Sequence, residues 1–278
     1  CVAGFPRCGD RGLGAFDCSA AESRHPPLQF GAAVAPPAGT VVLALALAVV
    51  AFLYGAVGHA GATGYIAVFA LAGLAPEQIR PTALLLNVVV ASLGSWQFWR
   101  AGHLQWRQFW PLLPLAVPAA FLGGWLDVPT RGLRVLLGVV LLSAAVRFLL
   151  RPQDPEQLAP PDRFSLLATG GGLGFMAGLT GTGGGVFLSP WMVLRRWCGT
   201  RQAAAASAVF ILMNSIAGLL GFWRSGQPLP AVPWAWLLIV LLAGGAGAYV
   251  GSHRWAVPTI RRLLALVTGF AGSKLLLG

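Results

Sequence analysis

Between Gly178 and Met192 the chain reads GLTGTGGGVFLSPWM, with five glycines and two threonines in the first eight residues and an almost wholly apolar run after them. Three chemistries suit such a stretch. A phosphate-cradling loop would need Lys-Ser/Thr after the last glycine, a preceding strand and a metal ligand. Gly185 is followed instead by VFLSP, so nucleotide binding is set aside. Close helix packing through small residues is the second reading, and it stays open. The third is a break in a membrane helix. There Gly183, Gly184 and Gly185 permit positive φ and close backbone approach. The half-helix after them presents unpaired N–H groups and the positive end of its dipole. Such an end binds anions without help from a cation. The segment itself carries no Lys or Arg between Arg163 and Arg195, so the expected site is neutral and dipolar.

A second stretch of this kind, GHAGATGY from Gly58 to Tyr65, adds Gly61, Thr63 and Gly64 to Thr180, Gly181, Thr182 and Gly183 to Gly185 as candidate substrate contacts. Asn87 and Asn214 each offer an amide NH₂ to an oxyanion, or equally a tie between two helices. Ser207 and Ser215 offer hydroxyls, although a lone Ser or Thr in a membrane helix usually bonds its own backbone. His59 is the only ionisable side chain in the middle of its segment. It is the candidate for proton coupling, with a satisfied structural histidine as the plain alternative. The four histidines (His25, His59, His103, His253) fall in unrelated segments, and the apolar runs hold no acid. No metal set, no catalytic set and no cofactor motif is expected, so an intramembrane enzyme is the weaker reading.

The elements that must position these residues are set by composition. Of 278 residues, 56% are hydrophobic and 10% charged, and the mean hydropathy is +0.73. Soluble domains carry about 25% charge. Charge-free runs such as Arg163 to Arg195, Arg201 to Arg224 and Arg224 to Arg254 reach the roughly 18 residues that mark a membrane-spanning helix. The expected fold is therefore an all-α polytopic membrane protein whose partner is the lipid bilayer. The net charge of +11 sits in short loops, as the positive-inside rule requires. No aromatic or basic nucleic-acid motif accompanies it, so nucleic acid is not expected. Residues 1–39 read as a polar tail, expected to be disordered, with Cys1, Cys8 and Cys18 lacking metal-site spacing.

The apolar segments are expected at Thr40–Leu74, Pro81–Trp99, Gln108–Leu126, Gly132–Leu150, Phe164–Leu194, Gln202–Trp223, Val232–Val250 and Pro258–Leu277. Arg151 to Arg163, RPQDPEQLAPPDR, reads as a solvated cytoplasmic linker between repeats at 40–150 and 164–278. The halves match in order. GHAGATGY lies over GLTGTGGG, GSWQFWRAG (94–102) over GLLGFWRSG (218–226), and VPTRGLRVLLGVV (128–140) over VPTIRRLLALVTG (257–269). A duplicated unit of this kind is the pattern of secondary transporters. Each half opens with a broken segment. Phe164–Leu194 suits a hairpin of two shorter helices, whereas Thr40–Leu74 could also hold one full span and a half-helix. Both ends of each hairpin then emerge on one side. Arg100, Arg107, Arg151, Arg163, Arg195, Arg196, Arg201, Arg254, Arg261 and Arg262 fall on one face, against Arg80, Arg131, Arg134, Arg224 and Lys274. The richer face is expected to be cytoplasmic, with both termini outside and the repeats inverted. Seven tryptophans near segment ends (Trp96, Trp99, Trp106, Trp110, Trp223, Trp234, Trp236) are expected as interfacial anchors.

The glycine-rich break leading to Pro190, followed by AAAASAVFILMNSIAGLLGFW, resembles the sulfite exporter TauE/SafE-type permeases, also called the toluene sulfonate uptake permease family. The resemblance runs from about Ala51 to the C-terminus. It departs in the first half, where GATGY stands for GTGGG and RPTALLLN for an Ala-Thr-Ser pattern. It implies transport of small sulfur oxyanions or organosulfonates, often outward across a bacterial inner membrane. An uptake permease or a channel for another small anion is the alternative. The resemblance settles neither the substrate nor the oligomeric state.

Overall fold

The computed structural model describes residues 39–126, 131–150, 154, 157–227 and 229–277; the expected N-terminal tail lies outside them, Gly39 excepted. Among these residues the fold is helical and holds no strand. In chain order the helices are α1 (Gly39–Ala56), α2 (Ala62–Leu71), α3 (Pro76–Arg100), the short α4 (Trp106–Phe109) leading through a 3₁₀ turn into α5 (Leu113–Trp125), and α6 (Arg131–Leu150). The second series is α7 (Arg163–Thr180), α8 (Gly185–Leu194), α9 (Thr200–Arg224), α10 (Trp234–Tyr249), prolonged by a π-helical turn over Val250–Arg254, and α11 (Val257–Leu277). Three stretches, Glu77–Arg100, Thr200–Arg224 and Trp234–Arg254, are long and apolar enough to cross a membrane. Large apolar side chains such as Val42, Leu45, Leu242 and Leu266 point outward on several helices, the surface that lipid wets and water does not.

The expected segments agree with these helices to within a few residues, apart from the broken ones. Each broken segment is an 18-residue helix followed by a 10-residue one. Each is thus a pair of helices, and neither 18-residue member is among the stretches long and apolar enough to cross a membrane. At 1.5 Å per residue α2 and α8 reach about 15 Å, half of a bilayer core. Both pairs fold back. Gly64 lies against Val50 and Tyr54, and Gly184 against Ala177 and Leu173.

Helix packing follows a pattern of exchange between halves. α1 packs on α10 and α5 on α7; α3 packs on α10 and α9 on α5; α2 packs on α3 and α8 on α9; α3 meets α9 and α6 meets α11. Contacts between α3 and α9 run in opposite senses, with Leu84 facing Gly218, Asn87 facing Ser215 and Gly94 facing Ala208. α6 and α11 are also antiparallel, since Gly138 meets Gly272 and Leu276 while Ala145 meets Gly269. Close approach comes from small residues. Gly170, Gly174 and Gly178 of α7 rest on the carbonyls of Leu112, Ala116 and Ala120, where a Cβ has no room. Gly247 of α10 and Gly251 of its π-helical turn lie on Phe52 and Ala56 of α1 in the same manner. Between apolar solvent and apolar helix, such backbone contact replaces the hydrophobic effect as the force that holds helices together.

The linker, exposed over most of its described residues, touches the helices at Asp154. Asp154 accepts from the Thr200 amide (3.0 Å) and hydroxyl at the start of α9. Arg261 of α11 donates through Nε to the same Thr200 hydroxyl (2.9 Å) and lies 3.5 Å from the Asp154 carboxylate. Trp236 is half-buried and stacks on Phe69 with ring centroids 5.4 Å apart. The other six tryptophans are exposed.

Candidate functional site

The second break runs from the end of α7 to the start of α8. Gly181, Gly183 and Gly184 all have positive φ (70°, 71° and 80°), conformations that only glycine adopts without strain. They turn the chain so that α8 opens at Gly185, with its first turn closed by the amides of Phe187 and Leu188 on Gly184 O at 3.1 Å. The amides just before that turn have no intrahelical acceptor. Two donors and one apolar side chain lie over Gly183: a Cβ placed there would lie 2.8 Å from Asn87 Nδ2 and from Ile211 Cγ2 and 3.0 Å from Ser215 Oγ. Asn87 and Ser215 are both fully buried. The Asn87 amide donates to Thr182 O at 3.4 Å and to Ser215 Oγ at 3.5 Å, both at the long limit of a hydrogen bond, and its Oδ1 has no partner among the described residues. Thr180 and Thr182 share a hydroxyl–hydroxyl bond of 2.8 Å, and Thr180 also donates to Met176 O. A buried polar group with such poor pairing is costly unless something else satisfies it.

Arg80 supplies a charge that the sequence reading left out of this region. Its methylene chain lies on Gly181. Its Nη2 donates to Gly178 O at the end of α7 (2.5 Å) and to Gly123 O (2.9 Å) and Gly124 O (3.1 Å) at the end of α5. One guanidinium therefore caps the negative ends of two parallel helices. Arg80 and Asn87 are seven residues apart on α3, two turns of one face, so this face lines the break from Gly178 to Gly183.

The first break is built differently. Ala60 and Gly61 both adopt positive φ, and the turn is covered by its own side chains. Tyr65 Oη donates to Ala60 O at 2.9 Å, and Thr63 Oγ1 donates to Tyr54 Oη at 2.9 Å. The Tyr65 ring sits over Gly61, and Val50 with Tyr54 sits over Gly64. His59 is buried beside them, and neither ring nitrogen has a partner among the described residues.

A family model described as Sulfite exporter TauE/SafE matches residues 43–275. The chain belongs to the TauE/SafE family. It is 41% identical over 240 residues to the "Probable membrane transporter protein y4hK" of Sinorhizobium fredii (strain NBRC 101917 / NGR234), covering 84% of this chain and 97% of that one. It is 29% identical to the "Probable membrane transporter protein ORF9" of Sinorhizobium sp., over 80% of this chain and 88% of the relative. A 26% likeness to the "Probable membrane transporter protein MamO" of Paramagnetospirillum magneticum (strain ATCC 700264 / AMB-1) covers 80% of this chain and 40% of MamO. No solved structure matches. This TauE/SafE chain is thus a multi-pass membrane transporter, and none of these relatives' names specifies a substrate.

Within the TauE/SafE chain the candidate residues divide into separate groups. Asn87, Thr182, Gly183 and Ser215 converge, with Thr180, Gly181, Gly184 and Gly185 framing them. Ser207 is occupied elsewhere, in a 2.6 Å hydroxyl pair with Ser189 that ties α8 to α9. Gly61, Thr63 and Gly64 belong to the tyrosine-covered first break. Asn214 is buried with neither amide atom paired among the described residues, and no hydrogen bond joins it to either break. Two residues escaped the sequence reading. Ser189 lay within the quoted motif; Arg80 could have been found from its two-turn spacing to Asn87.

Proposed function

We propose that this chain is a secondary transporter that exports small sulfur-containing anions, such as sulfite or organosulfonates, across the bacterial inner membrane. The observation that carries the reading is the convergence of Asn87 Nδ2 and Ser215 Oγ on Gly183, two residues before the half-length helix α8 begins. Amide and hydroxyl donors at the positive end of a helix suit a small oxyanion. The antiparallel pairing of α3 with α9 and of α6 with α11 supports inverted repeats, because those helices are counterparts under the sequence match. Inverted repeats around a broken-helix site suit alternating access. The arginine-rich ends Arg100, Arg201, Arg254 and Arg261 lie on the cytoplasmic face in this reading, with both termini outside.

The chain's anion selectivity tests it. A monoanion costs less to desolvate than a dianion, so singly protonated sulfite and alkylsulfonates are the expected species. In proteoliposomes loaded with unlabelled sulfite, counterflow of labelled sulfite is expected, with methanesulfonate competing and sulfate weaker by about tenfold or more, a difference of roughly 1.4 kcal/mol. Sulfate competing as well as sulfite, or no counterflow with any of the three, overturns the proposal.

A further inference from the structure

Two arginines fasten helix ends at opposite ends of the α3–α9 pair. Arg80 lies near the start of α3, and its Nη2 donates to Gly123 O and Gly124 O of α5 and to Gly178 O of α7. Arg201 lies in the first turn of α9, and its Nη2 donates to Trp255 O (2.6 Å), just beyond the π-helical turn that ends α10. The Trp255 ring packs edge-on against Phe52 of α1, with ring centroids 6.0 Å apart. One cluster therefore gathers α3, α5 and α7, and the other gathers α9, α10 and α1. In the order of the two series these are the same three helices, since α3 answers to α9, α5 to α10 and α7 to α1.

Each cluster joins the two series. The pairs α5–α7 and α1–α10 are already tight, because glycines of one helix rest on carbonyls of the other. α3 itself packs mainly along α2, α9 and α10, and α9 along α3, α5, α7 and α8. Arg80 thus ties α3 to a pair that its own helix barely touches, and Arg201 does the same for α9. Carbonyls at a helix end lack intrahelical donors, and a cation answers the negative pole of the helix there. The tie made by Asp154, Thr200 and Arg261 differs, because it joins α9 to α11 within one series. Both arginine fastenings are closed, and packed side chains cover both breaks: Ile211 over Gly183 and Gly185, Phe210 over Gly184, and Tyr65 over Gly61. Cargo reaches either break only after one end lets go.

We propose that Arg80 and Arg201 are paired gates, each holding one end of the transporter shut and released in turn. The inference rests on the alternating-access reading given above and names the contacts that alternate. Release of Arg80 frees α3 from the α5–α7 pair; release of Arg201 frees α9 from the α1–α10 pair. Neither arginine has to touch the cargo.

The reactivity of buried cysteines tests this in the purified full chain in lipid nanodiscs, with the native cysteines replaced by alanine. Leu84 and Ala205 lie one turn further along α3 and α9 than the two arginines, and both are buried. Labelling of a buried thiol follows the population of the open form, so Leu84→Cys and Ala205→Cys are expected to react slowly with a maleimide while both arginines are present. Arg80→Gln is expected to speed labelling at Leu84→Cys about fivefold or more, the scale of one lost hydrogen bond from a charged donor, and to leave Ala205→Cys unchanged or slower. Arg201→Gln is expected to do the reverse. Size-exclusion profiles identify any variant that has lost its fold, and where a glutamine variant is not recovered, Arg80→Lys or Arg201→Lys carries the same test at a smaller shift. Labelling raised at both sites by either variant, or at neither site by both, overturns the paired gates. That outcome leaves sulfite counterflow by the unaltered chain as a separate test of the transport reading.

Discussion

Arg80 shows how one residue can be read correctly as a loop-end cation and still be misplaced. Its position before an apolar run puts it at a membrane face, but its long side chain reaches back along α3 to three carbonyls on α5 and α7. Chain order keeps these helices far apart, so periodicity within one segment cannot show that their ends meet. Arg80→Gln is expected to lower unfolding free energy by about 1–3 kcal/mol, the cost of leaving buried acceptors poorly paired, read as a drop in melting temperature. Arg80→Lys should recover part of it, since one ammonium cannot span two helix ends as a guanidinium does. The glycines carry a parallel lesson. Gly184→Ala is a poor probe of ligand contact. The φ of 80° disfavours any side chain, and a Cβ would lie 2.8 Å from Phe210 and 2.9 Å from Ala177. Glycine richness was legible in the sequence. Which glycine faces donors and which faces packed carbon depends on helices from the other half.

At the level of elements, α7 joins two uses of glycine in one helix. Gly170, Gly174 and Gly178 are spaced by four and form a packing stripe on α5, while the break begins only after Thr180. The packing and ligand readings of the opening motif are thus not rivals along its whole length. The four-residue spacing is present in the sequence, but it is masked by Gly171 and Gly172 within the same run. Those neighbours provide an internal control. Gly174→Leu would force side-chain carbon into the Ala116 carbonyl, whereas Gly172 has nothing within 4 Å of a Cβ. Gly174→Leu is therefore expected to abolish recovery of folded protein from detergent, a loss beyond about 3 kcal/mol, and Gly172→Leu to leave it within about 0.5 kcal/mol, as for an open surface site. Size-exclusion profiles of the two variants decide it. Capping follows simpler local rules, as at Asp162. Its carboxylate accepts from the Ser165 hydroxyl and amide, which hold its pKa below the ordinary carboxylate value.

For the whole molecule, the antiparallel pairing of α3 with α9 makes a topological statement that can be checked by chemistry. Probes at Gln157 and beside Arg254 should label only from the cytoplasmic side, and one at Gln227 only from outside. Labelling of Gln157 and Gln227 positions from the same side would rule the inverted arrangement out. Cys198 does not interfere, because burial and then the nearby Asp154 carboxylate push its thiol up to about 12, and only the thiolate reacts with such reagents; the tail cysteines need replacement. The helical elements and their order were readable from spacing alone. The meeting of Asn87 and Ser215 beside Gly183 was not, because they sit on α3 and α9, 128 residues apart in the chain. The half length of α8 has an electrical meaning as well. Its ten residues end at Arg195 and Arg196, so its opening lies about 15 Å from that face, midway through a roughly 30 Å core. On the proposed reading, a monoanion bound there would have crossed about half of the transmembrane voltage. At 100 mV that is worth about 1.1 kcal/mol, half of the roughly 2.3 kcal/mol for a full crossing. The resting potential alone would thus raise occupancy about sixfold for entry from the negative inside and lower it about sixfold for entry from outside, which makes a cell's own voltage a force for expelling anions.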